Sequence, residues 1–175
     1  RDFDMTVYGT GRWGIPFDFL GCINGAAIYD HDRKLLCERN MDDSLVPAIL
    51  NPPAGLASLH YQLASTRRLN MFLREGSWFP KIGVPYDEVD FETAQGLRNL
   101  GQISLAYTSE EECGRHDESL RKDFGAAIEP HRNKTTIDIN TAGVDKATGI
   151  AETVALRKGD GAEVVHVGDV GNDDG

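Results

Sequence analysis

The chain has 175 residues, which is enough for one domain or two small ones with a hydrophobic core. Hydrophobic residues make up 40% of it, and no apolar stretch is long enough to span a membrane. The formal net charge of −10 argues against nucleic acid or an anionic membrane as a partner. A small anionic substrate stays compatible, because a bound cation reverses the local field. The three cysteines are an odd number without metal-binding spacing, which indicates a reducing, cytoplasmic setting.

The chain begins with polar side chains on alternate positions. In an extended backbone, Asp2, Asp4 and Thr6 would share one face. The glycine-flanked segment from Thr10 to Arg12 follows, and such a segment can offer backbone N–H groups to a phosphate. An ordinary surface turn explains Thr10 and Arg12 equally well on local evidence.

An apolar run from Phe19 to Tyr29 is interrupted by Asn24-Gly25, which predicts a turn between two strands. Residues 30–33 form a hairpin tip, and residues 34–39 return as a strand. From Asp43 onward the pattern alternates between helix and strand. The first predicted helix begins near Asp43 and ends before Asn51-Pro52-Pro53, and the second covers Leu56, Leu59 and Leu63. A third, weakly indicated helix spans residues 88–100, and a fourth begins at a capping box of Ser109 and Glu112. The predicted strands are 69–73, 102–107 and 135–139.

A further helix is predicted after Asp145, a good N-cap residue. Its apolar stripe comprises Ala147, Ile150, Ala151 and Val154, and Gly159 ends it. Lys146 falls in the first turn, where a cation is unfavourable against the helix dipole. Such a lysine is usually solvated surface, and it gains a role only if an anion binds beside it.

The valine-rich run at 164–167 predicts a buried parallel strand, and Asp169, Asn172 and Asp173 follow it within a few positions. Ligands in open α/β sheets bind beyond the carboxyl ends of the strands. Carboxylates placed there suit Mg²⁺, although an acidic turn explains the same residues.

Taken in order, Asp2-x-Asp4-x-Thr6, Thr10-Gly11-Arg12, Lys146 and Gly168-Asp169-x-x-Asn172-Asp173 resemble the four motifs of the haloacid dehalogenase superfamily of phosphohydrolases. The segment Asn24 to Asp30 is similar to the Cof-like branch, and residues 135–146 are similar to its sugar-phosphatase and phosphomannomutase relatives. The resemblance implies an α/β fold with a Rossmann-like parallel-sheet core and an inserted α/β cap. Residues 1–24 and 142–175 would form the core, and residues 25–141 would form the cap, hinged at Asn24-Gly25 and 140–143.

The resemblance also implies a role for each motif residue. Asp2 would be the nucleophile, Asp4 the general acid and base, and Lys146 the balancing charge. Thr10, Gly11 and Lys146 would hold the phosphate. Mg²⁺ would be held by Asp2, Asp169 and the backbone carbonyl of Asp4, and Asn172 and Asp173 would support the metal's waters or the lysine. Asn24 and Arg12 are candidates for contact with the substrate.

The function implied is a Mg²⁺-dependent phosphatase for a small phosphorylated metabolite, with a sugar phosphate the expected class. A phosphomannomutase-type phosphosugar mutase is the alternative, and it would need a second phosphate site in the cap. The candidates for that site are Arg67, Arg68, Arg74 and Arg115. A non-catalytic module that retains the fold is the third possibility.

The spacing of the first two motifs departs from the family pattern. Only three residues separate Thr6 from Thr10, whereas two parallel strands need a crossover of roughly a dozen or more residues. Met5 also stands where the family commonly has glycine. We therefore expect segments to be missing between Thr6 and Thr10, and the chain to lack residues before Arg1 and after Gly175. A continuous chain through Val7 to Gly9 would favour the non-catalytic alternative.

Overall fold

The structure is a computed structural model that describes residues 14, 16–75, 77 and 86–157. The predicted strands at 2–7 and 164–167 lie outside these residues. No helix among the described residues has the length and apolar character needed to cross a bilayer.

A three-stranded antiparallel sheet occupies the first part of the described chain. Its strands are β1 (Phe19–Cys22), β2 (Ala27–Asp30) and β3 (Leu35–Glu38), in the order β1-β2-β3. A short 3₁₀ turn at Ile23–Gly25 joins β1 to β2. The Asp30 carboxylate closes the next hairpin by accepting from the backbone N–H groups of Asp32 and Lys34, at 3.0 and 2.9 Å. The predicted turn, hairpin tip and returning strand are thus confirmed.

A six-stranded sheet forms most of the remaining described structure. Its strands are β4 (His60–Ala64), β5 (Leu69–Leu73), β6 (Asp87–Glu88), β7 (Gln102–Ala106), β8 (Ile128–Asn133) and β9 (Thr136–Thr141). Their order is β6-β5-β4-β7-β9-β8, and the described neighbours pair antiparallel except for β5 with β6. The helices are α1 (Leu45–Leu50), α2 (Phe91–Gly96), α3 (Glu110–Phe124) and α4 (Lys146–Leu156).

Two hydrophobic clusters hold these elements together. The larger one packs α1, α2 and α3 against one face of the six-stranded sheet, through side chains such as Leu63, Ile103 and Ile139. The smaller one joins β1 and β2 to Ala64, Leu69, Met71 and Val144. The predicted boundary between residues 24 and 25 falls between β1 and β2, which pair in one sheet. The division into core and cap stays a prediction.

Most of the remaining local predictions are confirmed. Helix α1 ends at Leu50, before Asn51-Pro52-Pro53. The Ser109 hydroxyl accepts from the Glu112 backbone N–H at 3.2 Å and begins α3. In α4, however, Ala151 of the predicted apolar stripe is exposed, and the helix ends at Leu156 before the expected stop at Gly159, which lies outside the described residues.

One prediction was wrong, and one strand was missed. The helix predicted over Leu56, Leu59 and Leu63 is strand β4, in which Tyr61 and Leu63 are fully buried while His60 and Gln62 are half-buried. That alternation follows the period of two of a strand, and it outweighs the fortuitous spacing of the leucines. Strand β8 was not predicted, because its polar sequence contains Pro130. As an edge strand, β8 tolerates a proline that lacks an N–H group.

Candidate functional site

The structure describes two of the predicted site residues, Asn24 and Lys146. The other predicted residues lie outside the described ranges, and their roles stay predictions. They are Asp2, Asp4, Thr10, Gly11, Arg12, Asp169, Asn172 and Asp173.

Lys146 is the first residue of α4, and a reciprocal capping box fixes the start of that helix. The Asp145 carboxylate accepts from the Thr148 backbone N–H at 2.7 Å, and the Thr148 hydroxyl accepts from the Asp145 backbone N–H at 2.9 Å. Both bonds satisfy N–H groups that a helix start otherwise leaves unpaired. The predicted N-cap is confirmed. The side chain of Lys146 is half-buried and therefore held at this helix end.

The charge beside Lys146 is set by the cap residue. The hydrogen bond from the Thr148 backbone N–H lowers the pKa of Asp145, and the nearby His131 contributes in the same direction. Asp145 is therefore ionised at neutral pH, and its negative charge complements the positive end of the α4 dipole. This arrangement offsets the unfavourable position of Lys146 in the first turn.

Asn24 lies in a turn with left-handed backbone at successive residues. The φ angles of Ile23, Asn24 and Gly25 are +56°, +52° and +91°. Asparagine tolerates such a φ better than most residues, whereas a β-branched residue such as isoleucine is strained there. The surrounding structure must therefore hold this turn in place.

Asn140 of β9 provides much of that support. Its side chain is 0% exposed; it donates to the carbonyls of Ile23 at 3.0 Å and Gly101 at 2.8 Å, and it accepts from the Asn24 amide at 3.3 Å. One buried amide thereby ties the turn to the six-stranded sheet, and every bond compensates a polar group removed from water. Sequence reasoning placed residue 140 in a hinge and missed this role.

The turn and the start of α4 touch through two glycines. A Cβ atom on Gly149 would lie 2.6 Å from the Cα of Gly25, and one on Gly25 would lie 2.3 Å from the Asp145 carbonyl oxygen. The structure thus brings the segment of Asn24 against the helix that begins at Lys146. A glycine inside an apolar helical pattern was the sequence signal for this contact.

A row of polar side chains lies on the face of the six-stranded sheet opposite α1, α2 and α3. Register pairs Gln62 with Ser104, Ser104 with Asp138, and Asp138 with His131, so the four occupy one face. All four are half-buried. The Nε2 atom of His131 is buried without a hydrogen-bond partner among the described residues. Sequence reasoning missed this row because strand register cannot be read from one strand's pattern.

The described residues contain no group of three or more His, Cys, Asp or Glu side chains that could hold a metal ion. The predicted Mg²⁺ ligands Asp2, Asp4 and Asp169 all lie outside those residues. The magnesium prediction accordingly rests on the sequence.

A comparison with protein families finds that residues 11–174 match the model of the haloacid dehalogenase-like hydrolases. The comparison with curated proteins finds no match for this chain. The matched range includes Arg12, Lys146 and Asp169.

Several solved structures are similar in fold. The subclass IIB sugar phosphatase BT4131 superposes with a TM-score of 0.67 at 15% identity, over 88% of this chain and 58% of that one. BT1666, a phosphatase from Bacteroides thetaiotaomicron, gives a TM-score of 0.56 at 18% identity, over 82% of this chain and 53% of that one. A HAD/COF-like hydrolase from Plasmodium vivax gives a TM-score of 0.61 at 12% identity, over 77% of this chain and 49% of that one.

These likenesses establish the fold, which is the predicted α/β fold. The chain spans between about half and three-fifths of the length of these three structures, at 49–58%.

Proposed function

Because the chain belongs to the haloacid dehalogenase-like hydrolases, we propose that it is a Mg²⁺-dependent phosphatase acting on a small phosphorylated metabolite. The observation that carries the proposal is the family match over residues 11–174, which takes in Gly11, Lys146 and Asp169 of the predicted phosphate-binding and metal-binding residues. The ordered start of α4, with Lys146 at its first position, supports it.

In the proposed reaction, a carboxylate oxygen of Asp2 attacks phosphorus and displaces the substrate's alcohol, which takes a proton from Asp4. Asp4 then accepts a proton from water as that water attacks the aspartyl-phosphate. Inorganic phosphate leaves and Asp2 is regenerated. Thr10, the backbone at Gly11 and Lys146 hold the phosphate oxygens, where positive charge stabilises the transition state.

The groups we propose for the metal are the carboxylates of Asp2 and Asp169 and the backbone carbonyl of Asp4. Asn172 and Asp173 would support the metal's waters or the lysine. Carboxylate oxygens are the donors that Mg²⁺ prefers. When bound, the ion supplies charge neutralisation at the phosphate oxygens.

We propose further that residues 25–141 form the cap over this site and that the substrate is a sugar phosphate. The row of Gln62, Ser104, Asp138 and His131 offers donors and acceptors on the sheet face that the three helices leave uncovered. A polyhydroxylated substrate would satisfy these groups, including the unpaired Nε2 atom of His131. Three free cysteines fit the cytoplasmic setting proposed from the sequence.

The test is phosphate release from p-nitrophenyl phosphate and from a panel of sugar phosphates, with and without Mg²⁺. Asp2→Asn should lower kcat by several powers of ten, because it removes the nucleophile. Asp18→Asn, at an exposed position, is the matched control and should leave kcat unchanged. Turnover of Asp2→Asn within tenfold of the parent would remove Asp2 from the mechanism.

The same assay separates the alternatives. A phosphosugar mutase would return an isomerised sugar phosphate with little free phosphate. It would need arginines in the cap that are open to a second phosphate, yet Arg68 pairs with Asp87 at 2.5 Å. A non-catalytic module would release no phosphate at all, and the short spacing between Thr6 and Thr10 is the feature that favours it.

A further inference from the structure

We propose that Gly149 is a positioning residue for Lys146: its contact with Gly25 sets where α4 begins and so where the Lys146 ammonium group meets the phosphate. The inference rests on the proposed function, since it assigns Lys146 to the phosphate site. It adds a requirement for two glycines that make no contact with the substrate.

The contact is closer than any side chain would allow. A Cβ atom on Gly149 would lie 2.6 Å from the Gly25 Cα, whereas ordinary van der Waals contact begins at 3.4 Å. The reciprocal Cβ on Gly25 would lie 2.3 Å from the Asp145 carbonyl oxygen and 3.0 Å from the Gly149 Cα. Helix and turn therefore meet backbone to backbone, and glycine is required on both sides.

The turn cannot retreat from the helix. Asn140 holds the Ile23 carbonyl from a fully buried position, and the φ angle of +91° at Gly25 is one that other residues rarely adopt. Behind the turn, a Cβ on Gly101 would already lie 3.2 Å from Cγ2 of Ile23. The turn thus packs tightly between the sheet and α4, so it cannot shift to make room for a side chain on the helix.

The helix transmits its position to Lys146. Lys146 precedes Gly149 by three residues, or about 4.5 Å along the helix axis, and the capping box of Asp145 and Thr148 makes that turn rigid. Further along α4, Glu152 binds Arg39 and accepts from the Cys37 thiol at 3.2 Å. If α4 is displaced at Gly149, its first turn and Lys146 therefore move with it, because the N-terminus of the helix does not fray.

The decisive variant is Gly149→Ala. Alanine favours a helix more than glycine does, so a purely local role predicts an equally or more stable protein with unchanged kinetics. Our proposal predicts that the added methyl group pushes the helix start away by about 0.8 Å, the difference between 2.6 and 3.4 Å. Misplacement on this scale costs about tenfold to a hundredfold in kcat. Gly96→Ala is the matched control, because a Cβ there meets nothing within 4 Å at the end of another helix.

The experiment measures kcat and KM for p-nitrophenyl phosphate, the inhibition constant of inorganic phosphate, and the melting temperature. We expect Gly149→Ala to lower kcat at least tenfold and to weaken inhibition by phosphate, with a melting temperature within a few degrees of the parent. In a Lys146→Ala background, Gly149→Ala should change neither kcat nor the inhibition constant of phosphate further, because its effect depends on Lys146. Gly96→Ala should match the parent throughout.

Parental kinetics for Gly149→Ala, or an equal loss in the Lys146→Ala background, would overturn the inference. If Gly149→Ala does not fold, Glu152→Ala removes the other anchor of α4 at a partly exposed site, with a smaller kcat loss expected that also disappears in the Lys146→Ala background. If it too shows no such loss, the inference is wrong. A parent protein without any phosphate release would instead refute the proposed function itself, and the positioning role with it.

Discussion

Acid should destabilise this protein through His116, a histidine of α3. Its side chain is buried on the side of the helix that faces the larger hydrophobic cluster. His116 is 2% exposed, and its Nδ1 atom bonds the hydroxyl of Tyr107, which is 6% exposed. The rings meet edge to face, with centroids 5.6 Å apart. Burial raises the pKa of Tyr107, so the phenol stays protonated and donates to the neutral imidazole.

The size of the effect follows from the pKa of His116. Burial lowers that pKa from 6.5 to about 4, against a smaller opposing contribution from the Asp117 carboxylate. The unfolded chain thus binds a proton at higher pH than the folded chain does. The stabilising contribution is complete above pH 6.5 and is lost as the pH falls towards 4. At about 1.4 kcal/mol per pKa unit, the free energy of unfolding decreases by on the order of 3 kcal/mol across this window.

The assay is urea unfolding of the whole chain at intervals between pH 7.5 and pH 4.5, for the parent and for His116→Asn. Asparagine keeps an acceptor near the Nδ1 position but does not titrate, so its curve should be flatter than the parent's. Carboxylates titrate in both proteins and cancel in the difference. His31→Asn is the matched control, because the His31 side chain is 69% exposed. Parallel curves for the parent and His116→Asn would refute the reasoning.

Three shorter predictions concern other buried or capping groups. Asn140→Ala removes the side-chain hydrogen bond to the Gly101 carbonyl and leaves the Ile23 carbonyl with only its bond from the Ala26 N–H, so chemical denaturation should show a loss of about 1–3 kcal/mol. A loss below about 1 kcal/mol would contradict this prediction. Asp145→Ala removes the N-cap of α4 and should cost about 1 kcal/mol by the same method, with Asp32→Ala as an exposed control. Burial raises the pKa of the Cys113 thiol to about 11, so a thiol reagent at pH 8 should label the partly exposed Cys37 first and Cys113 only on unfolding.

Turns, caps and helix ends that depend on a few consecutive residues were predictable from the sequence. Side chains that bond nearby backbone groups form the Asp30 hairpin and the caps at Ser109 and Asp145. Such bonds need no knowledge of the rest of the fold. The stop after α1 is equally local, because Pro52 and Pro53 have no N–H group to continue a helix. The sequence therefore identified where these elements begin and end, and it placed Lys146 at a helix start.

Features that depend on residues far apart in the chain were not predictable. Asn140 contacts Asn24 and Gly101 across the fold, and nothing in its own strand pattern distinguishes it from an exposed polar residue. Gly149 was not singled out, because the need for glycine there comes from its contact with the distant Gly25. Strand β4 was mistaken for a helix for the same reason: burial of Tyr61 is decided by neighbouring strands and not by local spacing.

The location of the hydrophobic clusters along the chain bears on the order of folding during synthesis. Among the described residues, the larger cluster is drawn entirely from positions between Met41 and Ile139. A nascent chain therefore holds all of it once Ile139 has left the ribosome. The smaller cluster is complete only after Val144 has emerged, and the contact at Gly25 can form only after Gly149 has emerged. Since chains emerge at about 5–20 residues per second, the six-stranded sheet has time to form first. Among the described elements, the helix that begins at Lys146 is the last to dock, onto a sheet that has already formed.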